Sequence, residues 1–133
     1  MRVAISKGMR GAGLALSFAT PLAAADVPSG QQVTLHEVLV DPQAAATYLR
    51  FRFIVPAVAR GDAQLPFDVA GADMLHLCDT LALPYIAQNA LVGDKIVITF
   101  MDQYTEFGTF DPDTTQFIEG FRAEDGRCMW DGF

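Results

Sequence analysis

The sequence predicts an α+β domain: one main helix packed on a four- or five-stranded, mainly antiparallel sheet and fastened by one disulfide. Three observations carry that prediction. Residues 48–55 alternate between apolar and polar side chains. Met74, Cys78, Leu81 and Tyr85 recur at intervals of four, three and four, one stripe of a helix. Asp125-Gly126, the preferred centre of a two-residue hairpin turn, divides the last short segment.

An export leader is expected ahead of the domain. Arg2, Lys7 and Arg10 precede fifteen largely apolar residues, 11–25, that end in small side chains. Ala23 and Ala25 form the small-x-small pattern of a signal-peptidase site, so cleavage is expected after Ala25, with the protein in the periplasm. Thr20-Pro21 interrupts the run, and spanning a bilayer takes about twenty apolar residues, so no stable membrane insertion is expected after cleavage. The residue after the cut is Asp26, which rules out a lipid-bearing cysteine there. The division is therefore a signal peptide, 1–25, and a single domain, 26–133.

The leader takes three of the nine basic residues and none of the sixteen acidic ones. The mature 108 residues then carry a net charge of −10, against −7 for the whole chain. A surface so acidic gains nothing from phosphates, which argues against nucleic acid as a partner. An apolar content of 51% argues against disorder.

Residues 26–31 read as a short, flexible polar lead-in, and Gln32 to Val40 as a strand ended by Asp41-Pro42. In the next strand, Tyr48 to Val55, the side chains of Leu49, Phe51, Phe53 and Val55 share one face. Tyr48, Arg50 and Arg52 share the other, and Pro56 stops the ladder. Residues 57–67 form a connection. Asp68 is the expected N-cap of the helix, and Pro84 is expected to kink it or to start a second short helix toward Asn89. After a turn at Gly93-Asp94, the nearly continuous apolar run Lys95 to Met101 suits a central strand covered on both faces. Residues 102–115 form a long polar-aromatic loop. Centring the final hairpin on Asp125-Gly126 sets Glu124 opposite Arg127, Ala123 opposite Cys128, Arg122 opposite Met129 and Phe121 opposite Trp130.

That register turns Cys128 toward the apolar face, and helical spacing puts Cys78 on the helix's apolar stripe. An even cysteine count in an oxidising compartment then points to a Cys78–Cys128 disulfide. Their spacing excludes a CxxC redox centre.

The chemistry the chain lacks is informative. Past the leader the only serine is Ser29 and the only lysine is Lys95, and there is no P-loop, GxGxxG or HExxH motif. His76 and Cys78 stand two apart, about 160° around a helix, which is awkward for joint metal ligation. Asp111-x-Asp113-x-Thr115 resembles the opening of a calcium loop, but Gln116 replaces the required glycine and Arg122 the required glutamate. An Asx-type turn accounts for these residues. No catalytic set, metal or cofactor is therefore expected. The candidate binding element is the loop itself, where Tyr104, Phe107 and Phe110 recur every three residues among acids that include Asp111 and Asp113. Its rings either offer contact area to a partner or fold back over a sheet edge. Arg50 and Arg52 form a second candidate, a basic stripe on an acidic protein that pairing with the chain's own carboxylates would also explain.

The segments VPSGQ-x-VTLHEVLVD, LRFRFIVPAVAR, ADMLHLC, LALPYIA, FG-x-x-DP-x-TTQFIEGFR and C-x-WDGF, spread over 27–133, resemble an uncharacterised family of small exported alphaproteobacterial proteins. The resemblance implies an envelope location and a compact domain, and brings no activity or catalytic residue with it. Short sequences of this kind are sometimes labelled acetolactate synthase, but 108 residues cannot house the domains and thiamine diphosphate site of that enzyme. The chain departs from the family at Thr105-Glu106, where a more apolar, proline-containing turn is usual.

The expected function is that of a non-enzymatic periplasmic accessory or partner-binding protein, with an envelope protein as partner. Two alternatives stand beside it. A small Asp/His hydrolase needs His36 or His76 near a carboxylate in a pocket. A small-molecule carrier needs an enclosed apolar cavity between helix and sheet.

Overall fold

The computed structural model describes residues 23–132; the leader's basic residues and most of its apolar run, 1–22, lie outside them. Six strands form one sheet: β1 (Ala23–Ala24), β2 (Thr34–Pro42), β3 (Thr47–Ile54), β4 (Lys95–Met101), β5 (Gln116–Glu124) and β6 (Arg127–Trp130). Their order across the sheet is their order in sequence. Between β3 and β4 a 22-residue helical segment crosses one face: α1 (Phe67–Leu77), a π-type turn (Cys78–Ala82) and α2 (Leu83–Gln88).

The expected four or five mainly antiparallel strands are thus six in a mixed sheet, because β3 and β4 run parallel. One long helix carries the chain back along the sheet before β4 starts, so β4 must run in β3's direction. The sixth strand is the Ala23–Ala24 pair, joined to the start of β2 by Ala23↔Leu35 and Ala24↔Thr34. Cleavage after Ala25 would leave five.

The face toward the helix is the core. Leu49, Phe51, Phe53 and Val55 alternate inward, as do Ile96, Ile98 and Phe100 from β4. Phe53 meets Phe100 edge-on at 6.0 Å, and Phe51 meets Tyr85 of α2 at 5.6 Å, an arrangement aromatic rings favour. Partial burial pushes the Tyr85 phenol pKa up, so it stays neutral. Ala70, Met74, Leu77 and Cys78 supply the buried helical stripe. Strand β2 joins the same core only through a bulge. Leu35 lies opposite Phe53 and Glu37 opposite Arg52, leaving His36 as the extra residue. Without it, Leu35 and Val38 would point to opposite faces; with it both point inward and Glu37 turns out toward Arg52.

The helix start differs from the sequence reading, while the second short helix expected at Pro84 is present. The N-cap is Pro66, without a side-chain cap, and Asp68 lies inside the first turn, where its charge still suits the helix dipole. Pro84 is preceded by the π-type turn, in which the Leu83 N–H donates to the Cys78 carbonyl. The chain then continues as α2, with the proline in its first turn, where a missing N–H costs little. The lead-in is also not loose. The Ser29 N–H and hydroxyl both donate to the carboxylate of Asp73, fully buried on α1.

The final hairpin has the predicted register, with Asp125 and Gly126 both at positive φ, as a type I′ turn demands. It is bound to the helix twice. Cys78 and Cys128 form the disulfide, their Cα atoms 6.1 Å apart, and Asp79 Oδ1 accepts the Cys128 N–H at 2.7 Å.

Closing a loop with a sequence separation of 50 removes about 4 kcal/mol of unfolded-state entropy on the chain-entropy model. Reduction, or Cys78→Ala with Cys128→Ala, is expected to lower the unfolding free energy by about that much in urea titrations. Glu119 gives a pH test. Its carboxyl is half-buried on β5 without a hydrogen bond or ion pair among the described residues, and burial raises its pKa. A raised folded-state pKa means stability is lost as pH rises through it. Glu119→Gln should therefore raise the Tm at pH 7 and leave it unchanged near about pH 3, where both side chains are neutral.

Candidate functional site

The sheet's other face carries the polar residues. By register, Glu37, Leu39 and Asp41 of β2 lie beside Arg52, Arg50 and Tyr48 of β3, and Thr99 of β4 lies between Arg52 and Ile118 of β5. Arg52 is 3% exposed, and Glu37 holds it through Nη1. Its Nη2 donates to the Thr105 carbonyl at 2.7 Å and touches Met101 Sδ at 3.1 Å. Arg50 donates through Nε to Asp41 at 2.8 Å. The sequence had offered these two arginines either a partner or the protein's own carboxylates, and each has such a carboxylate.

The 102–115 loop is a strap across this face, fixed along its length. At its base, the Asp102 N–H donates to the Thr115 carbonyl and the Thr115 N–H donates to the Asp102 carboxylate. Arg52 holds the first leg through Thr105, and Arg60 Nη2 holds the second through the Pro112 carbonyl at 2.6 Å. Gly108, with φ of 86°, allows the turn after Phe107, which a residue with a Cβ would strain. The Asp113 N–H donates to Asp111 Oδ1, the Asx-type turn anticipated for D-P-D-T-T.

The predicted residues separate into two sets. Arg50, Arg52, Tyr104 and Phe107 come together. Tyr104 stacks on the bulged His36 with ring centroids 4.5 Å apart. The Phe107 ring centroid lies 5.0 Å from Arg50 Cζ and 5.7 Å from Arg52 Cζ, and the Tyr48 ring is 5.0 Å from Arg50. Cation–π contact thus adds to the ion pairs. Phe110 stands apart at 86% exposure, and Asp111 and Asp113 serve their own turn. Tyr104 and Phe107 fold back over the sheet yet remain 44% and 42% exposed.

Beneath Phe107 is a cleft of about 200 Å³, lined also by Arg50, Arg52, Thr99, Glu106 and Gln116. Sequence reasoning missed Thr99 and Gln116. Thr99 did carry a signal, as the only uncharged polar residue in the apolar run of β4. A larger open groove of about 490 Å³ lies where β3 and β4 begin, against Leu83, Ile86 and Leu91. The two histidines are in different layers, His36 under the strap and His76 on α1. Among the described residues no group of three or more His, Cys, Asp or Glu side chains could hold a metal ion. Nor is any helix among them long and apolar enough to cross a membrane.

Removing Arg52 alone strands the buried Glu37 carboxylate, so Arg52→Met should cost about 3–5 kcal/mol. Arg52→Met with Glu37→Leu should be more stable than Arg52→Met alone, because no charge is left without its counterpart. Urea midpoints of the wild type and these two variants measure both effects.

Comparison with curated proteins and with solved structures found no match. A family model does match, over residues 11–133, a span that takes in every strand, the helix, both cysteines and the strap. The chain belongs to the DUF6497 family of unknown function.

Proposed function

We propose that this protein is a non-enzymatic accessory protein of the cell envelope, exported to the periplasm with its leader cut after Ala25, that binds a protein partner through the strap. One observation carries the reading: Phe110 is 86% exposed on a strap whose base and both legs are pinned by hydrogen bonds. A bulky ring held out on a fixed backbone loses little entropy on binding, which is the property of an interface anchor. Half-exposed Phe107 and Tyr104 extend the surface. Glu106, Asp111 and Asp113 surround it with negative charge, which favours a cationic partner and speeds the encounter. An inhibitor of a cationic envelope enzyme, such as a lysozyme, is one form of this role.

The disulfide supports an oxidising location. The alternatives fit the geometry less well. A hydrolase needs His36 or His76 beside a carboxylate in a pocket, and neither histidine lines the cleft or the groove described above. A carrier would need an enclosed cavity between helix and sheet, where Phe51, Phe53, Phe100, Phe121, Met74 and Leu77 are packed to 1% exposure or less and the groove beside Leu83 and Ile86 is open.

Capture from envelope extracts tests the proposal. Wild-type protein should retain a basic partner that Phe110→Ala loses, and that added salt releases. Phe110 is so exposed that its removal leaves the fold intact. Identical partner lists for wild type and variant would overturn the role given to the strap.

A further inference from the structure

The cleft beneath Phe107 is lined by polar groups that the protein's own contacts use only in part. Arg50 has only 16% of its side chain exposed, and its Nε is taken by Asp41. Neither of its Nη nitrogens meets an acceptor among the described residues, and Arg50 lines the cleft. A guanidinium has five N–H donors, so four remain. Thr99 is 4% exposed, lines the same cleft, and its hydroxyl has no hydrogen-bond partner among the described residues. Gln116, half-buried, adds a side-chain amide to the lining. These donors are not sealed inside the protein; they face one open space, where a ligand can take the place of water.

Charge decides what that space accepts. Arg50 and Arg52 are offset by Asp41 and Glu37, and Glu106 adds a further negative charge to the lining. Such a site repels a phosphate, and a ligand with both a carboxylate and a cationic group suits it best. The volume, about 200 Å³, equals that of about seven waters. Phe107 and Ile118 provide apolar walls.

We propose that this cleft binds a free α-amino acid with a short apolar side chain. Its carboxylate meets the Arg50 Nη groups and the Thr99 hydroxyl, and its ammonium meets Glu106. The inference goes beyond partner binding and does not depend on Phe110.

Two-dimensional NMR titration of the disulfide-bonded protein tests it, with L-valine, its desamino analogue 3-methylbutanoate and its decarboxylated analogue 2-methylpropylamine as probes. L-valine should bind most tightly and shift the resonances of Thr99, Phe107 and Gln116. Thr99→Val, which keeps the shape of the buried side chain, should weaken valine binding about tenfold or more. Glu106→Gln, at an exposed position, should weaken valine binding and strengthen binding of 3-methylbutanoate. That reversal is not produced by a merely structural role. No shift at these residues up to about 10 mM valine, valine binding unaffected by either substitution, or preference for inorganic phosphate would each overturn the assignment. Loss of the protein partner on Phe110→Ala would leave these results unchanged, so the two proposals fail separately.

Discussion

A charge taken out of water must find its compensation locally, and Arg52 imposes that condition at the centre of the sheet. Its guanidinium is buried on the face opposite the helix, where an isolated cation would cost several kcal/mol. Three neighbours answer it, each from a different element: Glu37 from β2, Met101 from β4 and the Thr105 carbonyl from the strap. Much of the outer face follows. Glu37 can reach Arg52 only because the bulge at His36 turns it outward. The strap is drawn down where Thr105 must accept, and its Phe107 then lies over both arginines.

The opposite face obeys a simpler rule. Burial of Phe51, Phe53, Phe100 and Phe121 against α1 is non-directional and would tolerate some sliding of the helix. The Cys78–Cys128 disulfide and the adjoining Asp79 bond to the Cys128 amide remove that freedom at the hairpin end. The molecule thus divides its tasks by layer. The inner face and its covalent tether supply stability, while the outer face, held by polar contacts of fixed geometry, presents the strap and its cleft.

The sequence was most legible where one local rule set the outcome. Asp125-Gly126 can adopt positive φ at low cost, so the hairpin register and the inward turn of Cys128 could be counted out residue by residue. The 4-3-4 spacing placed Cys78 on the buried side of the helix, and the apolar run of β4 announced its double burial. Where distant parts of the chain compete, local rules fall short. The parity change from Leu35 to Val38 does record the bulge, but only once both are known to share a core. The parallel β3–β4 pair depends on the path of the crossover, and the short β1 on an edge left open by β2. Ser29 looked free because its anchor, Asp73, is 44 residues away. The loop was recognised as the candidate site, but its landing place on Arg50 and Arg52 follows from contacts that no spacing encodes.

Amide hydrogen exchange on wild type and Arg52→Met tests most directly whether this one buried cation organises the outer face. The account predicts that exchange protection of the hydrogen-bonded strap amides of Thr109, Asp113 and Thr114 falls sharply in the variant while the disulfide-bound helix and final hairpin keep theirs. A strap as protected without the guanidinium as with it would contradict the account, since its seating would then come from the aromatic contacts alone.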